Sequence, residues 1–420
     1  MATPDTLGRD TVRELARRVA ELAHSPENTR RLARWRAVNS LRRTDRPPVI
    51  CHPGSGAWEE LLPRASLVAT DPYLVGLEQQ LRRQLFKWHE IGDDTVVDPC
   101  MPVSAVMRLE GQHFWGLPVQ HIQPENVKVD VSTRVAWRYE PPLRTEADIE
   151  KIVLPRYHHD RAATQANLSR MHELLGDILP VKQVCALPGP GAWLHGWATE
   201  LRGVEPLLFD LMDRPAWVHR LMRTLRDGFL GVMDQFEQAG VLTLNNLGLM
   251  ACDDLPAPGF EPTHVRLQDL WGRGESQEFQ GVSPAQHEEF LLRYQKPILA
   301  RFGMTYYGCC EDLTRKIPLI LSIPNLRRFV CSPWTDLGRL TEAVGDRLSI
   351  EWRQKATDVV YAPPGLQSIR QHLEEGLRLA KGGHPLIVLQ ELETVNGNRR
   401  RLAEWASLAK EVGLGSTLDF

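Results

Sequence analysis

From about residue 180 onward, short β-branched runs alternate with longer amphipathic segments, and this rhythm narrows the fold more than any other feature. The apolar runs fall at 181–186, 241–245, 265–270, 303–307, 329–331, 348–352 and 385–390. Helical stretches are predicted between most of them, at 215–238, 284–301, 336–344, 366–381 and 399–412. Strands that alternate with helices run parallel, because each helical crossover returns the chain to the same end of the sheet. Together with one more strand from 49–51 or 95–103, these runs predict an α/β chain folded as a TIM-like (β/α)8 barrel. One helix start is marked outright. Ser283 is placed to cap it, Pro284 stands at its first position, and Gln286 completes a capping box.

Before this rhythm begins, Leu15, Val19, Leu22 and Ala23, and then Leu32, Trp35 and Val38, recur at helical spacing. The expected division is therefore a helical extension over 1–45 and a barrel over 46–420. The formal charge is −3, from 50 basic and 53 acidic residues, so no overall pull toward nucleic acid or an anionic membrane is expected. No run approaches 18 apolar residues, and the first residues carry charges through their apolar stretch, so neither a spanning helix nor a secretory leader is expected. Seven unpatterned cysteines point to a reducing compartment, so a cytoplasmic protein is expected. The motif PGxGAW occurs at 53–58 and 188–193, as an old duplication or as a coincidence of turn chemistry. No phosphate-cradling glycine pattern, nucleophile elbow, H-E-x-x-H or CxxC pair is present.

In a barrel of this kind, reactive groups are expected where strands end at the C-terminal face. The segment Tyr306-Tyr307-Gly308-Cys309-Cys310-Glu311-Asp312 sends two adjacent thiols and two carboxylates to such an end. A thiolate, Glu311 and a distant histidine would suit zinc; alternatively both cysteines are small apolar fillers. His384 would open its strand, the wrong end for an active site, whereas Glu391 and Glu393 would close it. The run Arg266-Leu267-Gln268-Asp269-Leu270-Trp271 leads into a polar loop carrying Arg273, Glu275 and Gln277, with Asn245 closing the preceding strand. His52 stands at the end of the first strand, and the His158-His159 pair is expected at the surface.

Several segments together resemble the uroporphyrinogen decarboxylase-like superfamily, which includes corrinoid-linked methyltransferases. They are Asp45-Arg46-Pro47-Pro48-Val49, Asp213-Arg214-Pro215-Ala216-Trp217-Val218, Leu267-Gln268-Asp269-Leu270-Trp271, Tyr307-Gly308-Cys309-Cys310-Glu311 and Ser332-Pro333-Trp334. The resemblance runs from roughly residue 30 to the C-terminus and implies a TIM-like barrel with its site at the C-terminal mouth. The true decarboxylases carry an arginine-containing RQAGRY segment where this chain has Ile50-Cys51-His52-Pro53-Gly54-Ser55-Gly56, so tetrapyrrole decarboxylation is not expected. The methyltransferases bind zinc through His-x-Cys and a later Cys. Here Tyr307 takes the histidine place, Cys309 keeps the cysteine place, and the later cysteine region approximates to His384.

The resemblance thus implies methyl or one-carbon transfer with zinc held by Cys309 or Cys310 together with Glu311 and His384. A thiol or corrinoid protein would be the partner, and self-association as a homodimer is expected. In this reading Asp269, Tyr307 and Glu311 are the catalytic candidates. His52, Asn245, Arg266, Trp271, Glu275, Gln277 and Glu391 are the substrate-binding candidates. The alternative is a metal-independent decarboxylase or lyase acting on a small carboxylic acid, with Arg266, Arg273 or His52 clamping its carboxylate. A third is a barrel that binds a ligand without catalysis.

Overall fold

A computed structural model describes residues 4–122, 138–189 and 191–417. Eight parallel strands form its centre: β1 (Val49–Pro53), β2 (Met101–Ser104), β3 (Val181–Val184), β4 (Trp271–Gly274), β5 (Met304–Tyr307), β6 (Leu326–Cys331), β7 (Ser349–Gln354) and β8 (His384–Leu392). Six of them hydrogen-bond in the order β1-β8-β7-β6-β5-β4, a curled half-barrel, and β2 pairs with β3 separately. Helices lie between successive strands, and Pro215–Gln238 is a helix over the whole predicted span. The architecture is TIM-like, but the backbone ladder does not close.

Side chains bridge the two breaks. The run 241–245, expected as a strand, has no ladder; Thr243 Oγ1 instead accepts from Cys185 N at 2.9 Å. Asn245 brackets the start of β4, donating to Trp271 O at 2.9 Å and accepting from Trp271 N at 2.8 Å. At the other break, Asp94 N donates to Val49 O at 2.8 Å, and the Asp94 and Asp93 carboxylates accept from Val49 N and Cys51 N. Short polar side chains that reach a backbone compete with ladder formation, which is why periodicity alone overstated these segments.

The expected strand at 265–270 is also corrected. Leu267–Asp269 is a 3-10 turn, and the strand begins at Trp271. A displacement of this size exchanges the two ends of the barrel for every residue in between.

Alternation sorts the barrel residues cleanly. Ile50, His52, Arg273, Tyr306, Arg328, Glu351, Arg353, Leu386, Val388 and Gln390 face the lumen. Tyr307, Phe329, Ile350, Trp352, Ile387 and Leu389 face the helices and form the main apolar core. At the N-terminus, α1 (Pro4–Ala23) buries Val12, Leu15, Ala16 and Val19 against Leu77, Leu81 and Leu175. The next helix, α2 (Pro26–Asn39), inserts Trp35 and Val38 against Ile50, Leu386 and Val388, plugging the N-terminal end of the barrel. Both PGxGAW turns follow barrel strands, although Pro190 of the second lies outside the described residues. Among the described residues, no helix is long and apolar enough to cross a membrane.

Candidate active site at the barrel mouth

Strand β7 reads Ser349-Ile350-Glu351-Trp352-Arg353-Gln354, and its period of two sends Glu351 and Arg353 into the lumen. The Glu351 carboxylate accepts from Arg353 Nε at 2.9 Å and from Arg328 Nη1 at 3.3 Å. Burial raises the cost of that charge, but the two guanidiniums outweigh it and hold the carboxyl below its ordinary range. Arg328 is further fixed by Nη2 donating to Asn39 Oδ1 of α2 at 2.6 Å. These residues border a lumen cavity of about 240 Å³ that also touches Tyr306 and Arg273.

Above this layer the loops after β4 and β5 are stapled by one carboxylate. Glu311 accepts from Ser276 N at 2.7 Å, Ser276 Oγ at 3.0 Å and Cys309 N at 2.8 Å. Gly308 permits the turn, since its φ is 118° and an added Cβ would lie 2.9 Å from Val330 O. Cys309 is thereby aimed back over β7. Its Sγ lies 3.4 Å from Cys310 Sγ and 3.9 Å from Arg353 Nη1.

The electrostatics favour a thiolate at Cys309. A hydrogen bond from Cys310 draws its pKa down against the burial of the sulfur, and Arg353, Glu275 and Arg273 add to the effect. Cys310 moves the opposite way, chiefly because it donates to Cys309, with burial and Glu391 in support. Burial pushes the Glu275 carboxyl up to about 8 even though Arg273 donates to it at 2.8 Å, and the neighbouring Cys309 charge pushes the same way. At neutral pH Glu275 therefore keeps its proton and shares it with the Cys309 sulfur. On the opposite wall, burial, reinforced by Lys87, lowers His52 to about 4, leaving a neutral imidazole.

The mouth thus sets Cys309, Cys310, Glu275 and Glu391 above the lumen that His52 lines with Arg353; Arg353 Nη1 stands 3.7 Å from Glu391 Oε1. Gln277 is exposed on the loop beyond Glu275. Several other expectations are overturned. Tyr307 points away from the lumen, donating to Gln295 Oε1 at 2.8 Å with His287 Nε2 at 3.0 Å; Tyr306, one residue earlier, faces in. Glu311 is the staple just described, with both oxygens engaged by backbone N–H groups. Asp269 and Arg266 lie before β4, at the far end, where Asp269 accepts from Arg266 N at 2.9 Å and from Ala257 N at 3.2 Å. Trp271 opens β4 and packs with Cys252, Leu255 and Met304, and Asn245 is the backbone bracket beside it.

His384 pairs with Ser349, the first residue of β7. Arg353, which reaches Cys309, lies about 13 Å of strand further on. His384 instead lines a separate cavity with Val38, Arg42 and Pro47. The proposed zinc ligands therefore do not fit that ion together: Glu311 is committed to backbone donors, His384 is at the other end, and of the two sulfurs left Cys309 faces a guanidinium. Among the described residues, no three His, Cys, Asp or Glu side chains gather to hold a metal.

Sequence reasoning missed Arg328, Glu351, Arg353 and Tyr306. The available signal was charge at alternate positions within an apolar strand, Glu351 and Arg353 on β7, which marks a polar lumen rather than a packed one.

No protein-family profile matches the sequence, and no curated protein resembles it in sequence. Among solved structures the chain is similar to a methyltransferase from Methanosarcina mazei, with a TM-score of 0.52 and 10% identity over 91% of this chain and 98% of that one. At that identity the likeness is one of fold, and the two chains share a TIM-like α/β architecture along nearly their whole lengths.

Proposed function

We propose that this chain is an enzyme of methyl or one-carbon transfer, with Cys309 as the proton acceptor at the barrel mouth. The observation that carries the reading is the Cys309 thiol held between the Arg353 guanidinium and the Glu275 carboxyl at the end of β5. The fold likeness to a methanogen methyltransferase supports the reaction class. An acceptor thiol entering this mouth gives its proton to the Cys309 thiolate, and Arg353 and Arg273 stabilise the acceptor's sulfur as an anion. That sulfur attacks the methyl carbon of the donor, and the electron pair of the broken bond leaves with the donor. Cys309 then returns to the thiolate by releasing that proton to solvent, while protonated Glu275 and Arg353 hold the sulfur in its anionic form. A methylated corrinoid and a small thiol are the reactants that suit both the resemblance and this chemistry.

The test is transfer from methylcobalamin to a small thiol, followed by the absorbance of the corrinoid and by the thioether formed. Wild-type protein should turn over, and Cys309→Ser should lose about 100-fold or more in kcat, the usual contribution of a general base. Full activity in Cys309→Ser would remove the assigned role. Release of carbon dioxide from a small carboxylic acid, with no methyl transfer, would replace the reading with the lyase alternative.

A further inference from the structure

The interior of a TIM barrel is normally filled by layers of branched aliphatic side chains. Here the lumen is hollow, and its charges do not balance. Three arginines, Arg273, Arg328 and Arg353, border the cavity of about 240 Å³, against Glu351 on its wall and Glu391 on the rim, 3.7 Å from Arg353 Nη1. Glu351 is already shared between Arg353 and Arg328. Arg273 turns to Glu275 on the rim. The Nε atoms of Arg328 and Arg273 are buried without a hydrogen-bond partner. Buried guanidinium groups left in excess are destabilising unless something supplies the missing acceptors. Below this charged layer the wall is apolar, with Trp35, Ile50, Leu386 and Val388.

We propose that the lumen is a binding site for a small molecule bearing an oxyanion, a carboxylate or phosphate group on a short carbon skeleton, held between Arg273, Arg328 and Arg353. The planar fork of arginine matches both groups, and three forks around one cavity favour an anion over a neutral ligand. The volume lies below the roughly 300 Å³ at which drug-sized pockets begin, so the ligand is a compact one. The aliphatic floor takes its carbon skeleton, which places the anionic head next to Arg353 and hence beneath Cys309. This site stands apart from the group-transfer reading: it shares Arg353 with the mouth, and no step of the transfer is assigned to the molecule bound in it.

The experiment is isothermal titration of the full chain with acetate, succinate, inorganic phosphate and methylphosphonate, and with acetamide as the neutral control. At least one anion should bind saturably at one site and acetamide should not; the carboxylate and phosphate arms identify which head group is preferred. Arg328→Met should weaken that binding about 10- to 100-fold, the usual effect of losing a hydrogen bond to a charged group. Should Arg328→Met fail to fold, Arg273→Gln on another wall makes the same prediction. Glu351→Gln, which removes the competing carboxylate, should tighten it. Saturable binding by none of the anions, or an affinity unchanged in every folded arginine variant, overturns the proposal. Binding is read without turnover, so anion binding in a protein that transfers no methyl group would sink the group-transfer reading and leave this site standing.

Discussion

The charge of Arg353 on the Cys309 sulfur gives a measurable prediction. Arg353 Nη1 lies 3.9 Å from the sulfur. At the effective dielectric suited to such sites, two unit charges at that distance interact by about 4 kcal/mol. Alone, that interaction would correspond to about three pH units. Glu351, 2.9 Å from the same guanidinium, cancels part of it, so replacing Arg353 by Met should raise the Cys309 midpoint by about one to two units. The assay is the rate of alkylation by iodoacetamide from pH 5 to 9, with the Cys309 peptide quantified by mass spectrometry. Interference from other thiols is small, because burial pushes Cys185 up to about 11 and Cys331 up to about 12. Wild-type Cys309 should react well below the ordinary thiol range, and the variant curve should shift to higher pH. Glu351 keeps Arg328 as a partner, so the variant should fold, with a stability loss near 3 kcal/mol at the low end for a broken buried pair. Superimposable curves for the two proteins, with circular dichroism unchanged, would refute the assignment of Arg353 as the thiolate's partner.

Two further outcomes test the frame around the site. Asp94 is buried and accepts from Arg46 at 2.6 and 2.8 Å and from Val49 N, and although burial opposes it, these partners hold its carboxyl below the ordinary value of 3.8. Its stabilisation is therefore complete above about pH 4 and is lost as pH falls through the folded value; Asp94→Ala should cost about 3–5 kcal/mol in urea unfolding at pH 7, and that difference should narrow below pH 4. Tyr307→Phe should cost about 1–3 kcal/mol by leaving Gln295 and His287 without their hydroxyl partner, while Cys309 alkylation keeps its wild-type pH profile. A shifted profile would put the Tyr307 hydroxyl back in the lumen.

The elements legible in the sequence were those whose own periodicity is strong. Helix Pro215–Gln238 buries Leu221, Leu225, Val232 and Phe236 along one face, and β5 through β8 lie within a few residues of their apolar runs. The Cys309-Cys310 turn was likewise readable, because a glycine after an aromatic strand marks a strand end. Where reasoning failed, the element's boundary decided which end of the barrel a residue occupies. Placing a strand at 265–270 put Asp269 at the mouth, whereas the strand that begins at Trp271 puts Glu275 there instead. Tyr306 and Tyr307 differ by a single step of the pleat, and that step separates the lumen from the helix layer.

Local patterning alone determined that this chain alternates strands with helices, that its strands run parallel, and that two thiols follow an aromatic strand. These depend on spacing within a few residues, which the chain carries in itself. Only the tertiary structure decided that Arg353 and Arg328 share Glu351, that Glu311 staples two loops, and that α2 plugs the barrel floor. The contacts of Arg328 with Glu351, of Ser276 with Glu311 and of α2 with the barrel join residues distant in sequence, and the direction of each side chain depends on where the curling sheet brings its neighbours. A charged residue in a strand is the same letter whether it meets water or a buried carboxylate; the curvature of the barrel makes that choice.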